Sequence, residues 1–277
     1  MVGAVRRWLE LGRRHQRGEW PDRNAQYLFF QTLVGAWPLS LDRAAAYMAK
    51  ATKEAKQHTS WLRPDEQYDA AVQAFVEGVF ADEQLVADVV AFLTPLVAPG
   101  RVNSLAQALL RLTAPGVADT YQGTELWDLS LVDPDNRRPV DYGERRRLLA
   151  ELADGLPLSE VMGRSEEGLP KLAVTTRALQ LRRRRPEAFG VKGAYRPLRA
   201  TGPGADHVVA FARREEVVTV VPRLVLGVDQ SGGWADTSVT LPGGSWEDVV
   251  SGGRFEGGPV GVADLLRRFP VALLERV

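Results

Sequence analysis

The chain contains no cysteine. Disulfides, thiolate metal sites and a cysteine nucleophile are therefore excluded. Histidine is scarce: His15, His58 and His207 stand far apart in sequence. That spacing argues against a multi-histidine metal site, so neither metal nor cofactor is expected. An excess of charge of one sign is missing as well. Basic and acidic residues number 35 each in 277, whereas a dedicated nucleic-acid binder carries a basic surplus; nucleic acid is not an expected partner. No apolar run is read as approaching the ~20 residues of a membrane span. The opening MVGAVRRWLELGRRHQRGEW has no apolar signal-peptide core. A soluble, cytoplasmic protein without a membrane partner is expected. The G-x-S-x-G elbow, the Walker loop and the G-x-G-x-x-G fingerprint are absent too.

What is there begins with helices. Val5, Trp8, Leu9 and Gly12 make one face of a first helix, and NAQYLFFQTLVGAW forms a second, closed by Pro38. SLDRAAAYMAKATKEAKQH is alanine-rich, with Ser40 at an N-cap position. RPDEQYDAAVQAFVEGVF has Pro64 at a first helical position and then Tyr68, Val72, Phe75 and Val79 at helical spacing. DEQLVADVVAFLTPLV and VNSLAQALLRL follow. VADTY, near glycines, reads as one brief buried strand, and further helices follow the loop 124–142. From about Phe189 the period shifts to two: HVVAFAR, VVTVVPRLVL, TSVTLP, SWEDVVSGG and VALLERV read as antiparallel strands, with SGGRFEGG as a turn. Many helices, one internal strand, more helices and then strands describe an α/β part followed by an all-β part.

Three stretches invite a functional reading, each with a plainer alternative. PGVADTYQGTELWDLSLVDPDNRRPVDY crowds acids, arginines and aromatics together. Aromatic faces and charge-assisted hydrogen bonds are what a sugar pocket uses; the same composition also suits a solvated acidic loop tied by its own ion pairs. KQHTSW is either a polar binding group or a helix C-terminus whose cations complement the dipole, with Trp61 buried. Arg182 to Arg185 suggest a phosphate site, or else a solvated helix end.

WPDRNAQYLFFQTLVGAWPL, AKQHTSWLRPDEQYDAAVQAFV, NSLAQALLRLTAPGVADTYQGTELWDLSLVDPDNRRPVDY and the closing FPVALL resemble the α-amylase superfamily, glycoside hydrolase family 13, over essentially the whole chain. GVADTYQGTE is similar to the G-x-P-x-x-Y-x-G-x-E pattern at that family's eighth barrel strand, with Ala118 where proline is frequent. The LVDPDNRRPVD extension resembles the trehalose-forming branch.

The resemblance implies the C-terminal part of a (β/α)8 barrel with a helical insertion, followed by an antiparallel β-sandwich domain. Residues 1–113 would be the helical region after the seventh barrel strand. Residues 114–188 would hold the eighth strand, its substrate-side loop and the closing helices, and 189–277 the β domain. The implied reaction is intramolecular transglucosylation, converting the reducing-end α-1,4 linkage of a maltooligosaccharide to α,α-1,1. The family's T-H-D-T-K-R-like motif is not found, and neither of its two other catalytic carboxylates falls in this chain. Retaining chemistry needs two carboxyls about 5 Å apart and separately tuned, so no catalytic residue is assigned and the chain alone is expected to be inactive. Tyr121, Gln122, Glu125, Trp127, Asp133, Arg137 and Arg138 are implied around the substrate, with Lys56, His58 and Trp61 as a second group. The expected partners are a maltooligosaccharide or α-glucan and the N-terminal part of the barrel. The alternative is a standalone, non-catalytic α-glucan-binding protein or a truncated product without function.

Overall fold

Aspartates start three of the N-terminal helices in the computed structural model, which describes residues 1–277. Asp22 accepts the amides of Asn24 and Ala25 at the start of α2 (Arg23–Ala36), Asp65 those of Gln67 and Tyr68 at α4 (Glu66–Ala81), and Asp82 that of Leu85 at α5 (Glu83–Leu93). Each satisfies amides that the first helical turn leaves without partners. The remaining helices here are α1 (Val2–Gly12) and α3 (Leu41–Ala55). Ser40 occupies the N-cap position of α3, but its side chain makes no capping bond.

These helices form one of two units, Met1–Val97 together with Leu129–Pro139. Its core is aromatic. Trp8, Phe29, Phe30 and Phe75 are all at most 1% exposed. Phe29 meets Phe75 edge-on at 5.8 Å and 77°, and Trp8 meets Phe92 at 5.2 Å and 88°, a geometry that adds to simple burial. The periodicities hold: Val5, Trp8 and Gly12 of α1 and Tyr68, Val72, Phe75 and Val79 of α4 are buried.

The second unit comprises Ala98–Asp128 and Val140–Val277. It holds α6 (Val97–Thr113), α7 (Tyr142–Ala153), α8 (Leu158–Gly163), α9 (Leu169–Arg184) and a seven-stranded sheet. The strands are β1 (Tyr195–Leu198), β2 (Ala200–Thr201), β3 (Val208–Arg213), β4 (Val217–Pro222), β5 (Ser238–Asp248), β6 (Arg254–Gly261) and β7 (Ala272–Arg276). Their order is β1-β3-β4-β7-β5-β2, with β6 on β5. All six positions of β4 are buried. Val217 and Val221 join Leu109, Val174 and Leu181 of the helices, while Val218 and Val220 join Val239 and Trp246. β1 pairs with β3 and β2 with β5, although only Arg199 separates them. That shared segment draws the two edges together and curls a single sheet, in place of the expected two-sheet sandwich.

Other expectations are corrected. VADTY is not a strand. Residues 115–120 make no backbone hydrogen bond, and Val117 is wholly exposed; without a neighbouring strand an extended segment has no ladder to join. VLGVDQ (Val225–Gln230) is a short helix instead of a continuation of β4. TSVTLP and SWED belong to one strand, β5, whose register shifts between Leu241 and Ser245. SGGRFEGG, read as a turn, runs instead into a strand: its RFEGG opens β6. The arginine run is internal bonding in large part: Arg182 donates to the Leu112 carbonyl at 2.7 Å, and Arg184 and Arg185 reach Glu275 at 2.7 and 2.8 Å. The helical run Glu83–Thr113 also differs from the reading that no apolar run approaches a membrane span: it is long and apolar enough to cross a membrane by length and composition. Leu85, Val89 and Leu93 of this run serve the core of the first unit, and Leu105, Leu109 and Leu112 that of the second.

Candidate functional site

Helix α3 carries LDRAAAYMAKATKEA. Ala44 and Met48 turn into the core. Arg43, Tyr47 and Lys50, spaced four and three apart, share another face. The segment Leu129–Pro139 packs in the same unit as this helix. Arg43 grips it bidentately: Nε donates to Asp135 Oδ1 and Nη2 to Asp135 Oδ2, both at 2.8 Å, and Nη2 also donates to the Leu129 carbonyl at 2.8 Å. Two turns on, Lys50 donates to the Asp133 carbonyl.

Asp135 organises the segment from within. Its Oδ2 accepts the Leu131 amide at 2.6 Å, and Arg138 contacts its Oδ1 at 3.2 Å. The Arg43 hydrogen bonds first, outweighing burial and aided by the Leu131 amide and the Arg138 charge, hold the Asp135 carboxyl down to about 2. Arg138 further donates to the Asp135 carbonyl at 3.0 Å and to Ser130 Oγ at 3.3 Å. Arg137 Nε lies 2.5 Å from Asp133 Oδ1 but out of line for a hydrogen bond, and that buried oxygen has none.

Between α3 and this segment lies a cleft of about 680 Å³, within the ~300–1,000 Å³ usual for small-molecule sites. Ala46, Ala49 and Tyr47 line it from the helix, Val132, Pro134 and Arg138 from the segment, and Trp61 from the loop after α3. The loop geometry explains the tryptophan. Lys56 ends α3 in the left-handed region at φ 55°. Ser60 and Arg63 then close a tight turn through Ser60 N–H to the Arg63 carbonyl at 3.0 Å, leaving Trp61 60% exposed. The Lys53 ammonium sits 5.0 Å from the indole centroid.

The structure thus brings together Trp61, Asp133 and Arg138 from the two groups read in the sequence, and adds Arg43, Tyr47, Lys50 and Asp135, which sequence reasoning missed. Lys56 is an exposed helix end, and Arg137 is exposed beside Asp133. His58 stands apart from the cleft: it stacks on Tyr68 at 4.7 Å and lies 3.3 Å from Asp22 Oδ2. The Tyr68 hydroxyl donates to the same oxygen at 3.0 Å. Burial and the Asp22 carboxylate push the Tyr68 hydroxyl pKa up. Burial works against the Asp22 charge, but the Ala25, Tyr68 and Asn24 donors and His58 hold its carboxyl below the usual range.

Tyr121, Gln122, Glu125 and Trp127 belong to the other unit. Tyr121 and Gln122 are exposed around a turn closed by Thr124 N–H to the Tyr121 carbonyl at 3.2 Å. Glu125 accepts from Arg145 Nε at 3.0 Å, while Arg145 Nη2 donates to the Gly123 carbonyl at 2.6 Å. Trp127 donates its indole N–H to the Ser165 carbonyl at 2.6 Å and lies 5.9 Å from the charges of both Arg101 and Lys171. Lys171, 8% exposed, donates to the Leu126 carbonyl at 3.0 Å, and burial lowers its pKa.

Three of the six acids between Asp119 and Asp141 have structural work. Asp141 caps α7 through the Glu144 amide at 2.9 Å, Glu125 holds Arg145, and Asp135 holds Arg43. A general acid for glycosyl transfer needs a raised pKa, the opposite of what Arg43 does to Asp135. The cleft sets an exposed indole and other apolar surface beside the polar groups of Arg138 and Asp133.

No established family profile matches the chain. Curated relatives do. It is 40% identical over 263 residues to the maltooligosyl trehalose synthases of Mycobacterium tuberculosis strains CDC 1551 and H37Rv, covering 92% of this chain and 32% of each relative. Among solved structures it is similar to maltooligosyltrehalose synthase from Arthrobacter ramosus, with a TM-score of 0.88 and 38% identity over 99% of this chain and 35% of that one. The glycosyltrehalose synthase of DSM5389 aligns with a TM-score of 0.77 and 28% identity over 99% of this chain and 34% of that one. The chain spans about a third of the length of these relatives. In sequence and in fold alike, it belongs with the maltooligosyltrehalose synthases, as the counterpart of a C-terminal portion of them.

Proposed function

We propose that this chain is the substrate-holding, non-catalytic portion of a trehalose-forming glycosyl enzyme of the α-amylase superfamily. In the complete enzyme, a carboxylate nucleophile would attack the anomeric carbon beside the reducing-end glucose while a second carboxyl protonates the leaving oxygen. The freed glucose, held and turned in its pocket with water excluded, would then attack the glycosyl-enzyme through its own anomeric hydroxyl, giving the α,α-1,1 linkage. The carboxylates for these steps lie in the polypeptide that supplies the rest of the barrel. This chain would bind and orient the glucan.

The observation that carries the reading is the convergence of Trp61, Asp133 and Arg138 on one cleft of about 680 Å³. The engagement of Asp135, Glu125 and Asp141 in holding the fold supports a role without bond cleavage. Residues 117–121 are proposed to become the eighth barrel strand once neighbouring strands supply backbone partners; the absence of any backbone hydrogen bond across 117–120 supports that reading. Tyr121, Gln122, Glu125 and Trp127 would follow that strand onto the substrate side of the barrel.

Equilibrium binding of maltopentaose to the chain, followed by product analysis after long incubation, tests this. Saturable binding with the sugar recovered unchanged is expected. Absence of binding overturns the substrate-holding role, and a non-reducing trehalosyl product overturns the non-catalytic one.

A further inference from the structure

A second cleft, of about 520 Å³, lies on the other flank of α3, between it and α4. Asp42, Ala46, Ala49 and Lys53 form a stripe along α3, spaced four, three and four apart. Ala46 and Ala49, the middle of the stripe, line both clefts. Each contributes a single methyl group, so the divide between the clefts is a low saddle. Lys53 marks its far end: its ammonium lies 5.0 Å from the Trp61 indole, which lines the first cleft, and 3.4 Å from Asp69, which lines the second. Facing the saddle, α4 presents Glu66, Asp69 and Gln73 to the second cleft, at the spacing of one helical face. Carboxylates, an ammonium and an amide with alanine and valine side chains between them match a ligand that alternates hydroxyls with CH surface.

We propose that the cleft between α3 and α4 is a second saccharide subsite, continuous with the first across the Ala46–Ala49 saddle, which makes glucan affinity depend on chain length. The inference rests on the first cleft's holding saccharide. A short oligosaccharide fills the first cleft alone; a longer one crosses the saddle and gains the polar groups of α4.

The test is calorimetric titration of the full chain with maltotriose and with maltoheptaose, for the wild type, Ala49→Leu and Gln73→Ala. Both positions are exposed and helical, and neither change lowers helix propensity enough to threaten folding; circular dichroism checks that. The wild type is expected to bind maltoheptaose at least about tenfold tighter than maltotriose. In each variant that ratio is expected to fall to within about threefold. Measurable binding with a ratio near one in the wild type, or a tenfold ratio kept in both variants, overturns the second subsite and leaves the first cleft standing. Absence of binding for both sugars overturns both.

Discussion

Arg43 and Asp135 meet as a fork, two nitrogens on two carboxylate oxygens at 2.8 Å each, across 92 positions of sequence. Their side chains are only 19% and 13% exposed. The pair fixes the segment 129–139 on α3 and so shapes one wall of the first cleft. Arg43→Ala leaves the Asp135 charge without its main partner and is expected to cost roughly 1–3 kcal/mol. Glucan affinity should fall by at least about tenfold. Arg43→Lys restores charge but not the fork and should recover only part of either loss. Urea unfolding reads the first effect, and faster amide exchange across 129–139 locates it.

Acid sensitivity follows from two carboxylates. Asp135 is held to about 2 chiefly by Arg43. For Asp82, with a side chain 6% exposed, burial opposes ionisation, but the His15, Arg14 and Leu85 donors prevail and bring it to about 2 as well. Both start from 3.8. A carboxyl whose folded pKa is depressed contributes stability that is present above its unfolded pKa and lost as pH falls through the folded one. Stability should therefore drop between about pH 4 and pH 2, by roughly 2 kcal/mol for each group. In Asp135→Asn the drop across that window should shrink by about that amount in unfolding titrations.

Trp61 separates binding from stability. It is 60% exposed, with the Lys53 ammonium 5.0 Å from its indole centroid. Trp61→Ala is expected to change unfolding free energy by no more than about 0.5 kcal/mol, yet to weaken maltopentaose binding by about tenfold or more. Calorimetry beside a melting curve checks both.

Gly168, at the start of α9, has φ +79°, and an added Cβ would lie 2.9 Å from the Trp127 amide nitrogen. That backbone meets the segment carrying Trp127, with no flexible side chain to yield. Gly168→Ala combines left-handed strain with a backbone clash and should destabilise by roughly 1–3 kcal/mol. A change within 0.5 kcal/mol in urea unfolding, at about the noise of surface substitutions, would show that this approach is loose.

The helices were legible because their signals are local. The Tyr68–Val79 stripe repeats within a single helix, although α4 starts at Glu66 with Asp65 as its cap, and Pro64, read as its first helical position, lies before it. VVAFAR and VVTVVP formed the strands their alternation indicated. RFEGGPVG was hidden by its glycines, because its strand character comes from pairing with β5, which no local pattern encodes. VADTY shows the converse: a strand-like sequence stays irregular when no ladder adjoins it. In the cleft, Trp61, Asp133 and Arg138 stand out by residue type. Arg43 and Lys50 look like ordinary solvent-facing cations on an alanine-rich helix; their role rests on contacts 92 and 83 residues away.

The most direct test of a glucan-holding but non-catalytic chain is one proton and nitrogen NMR titration with maltopentaose, left to stand and read again. The expected result is saturable shifts of the Trp61 indole N–H and of amides in 129–139, with the reducing-end anomeric signals unchanged over days. Growth of an α,α-1,1 anomeric signal, or indole and amide resonances that never move, would contradict it.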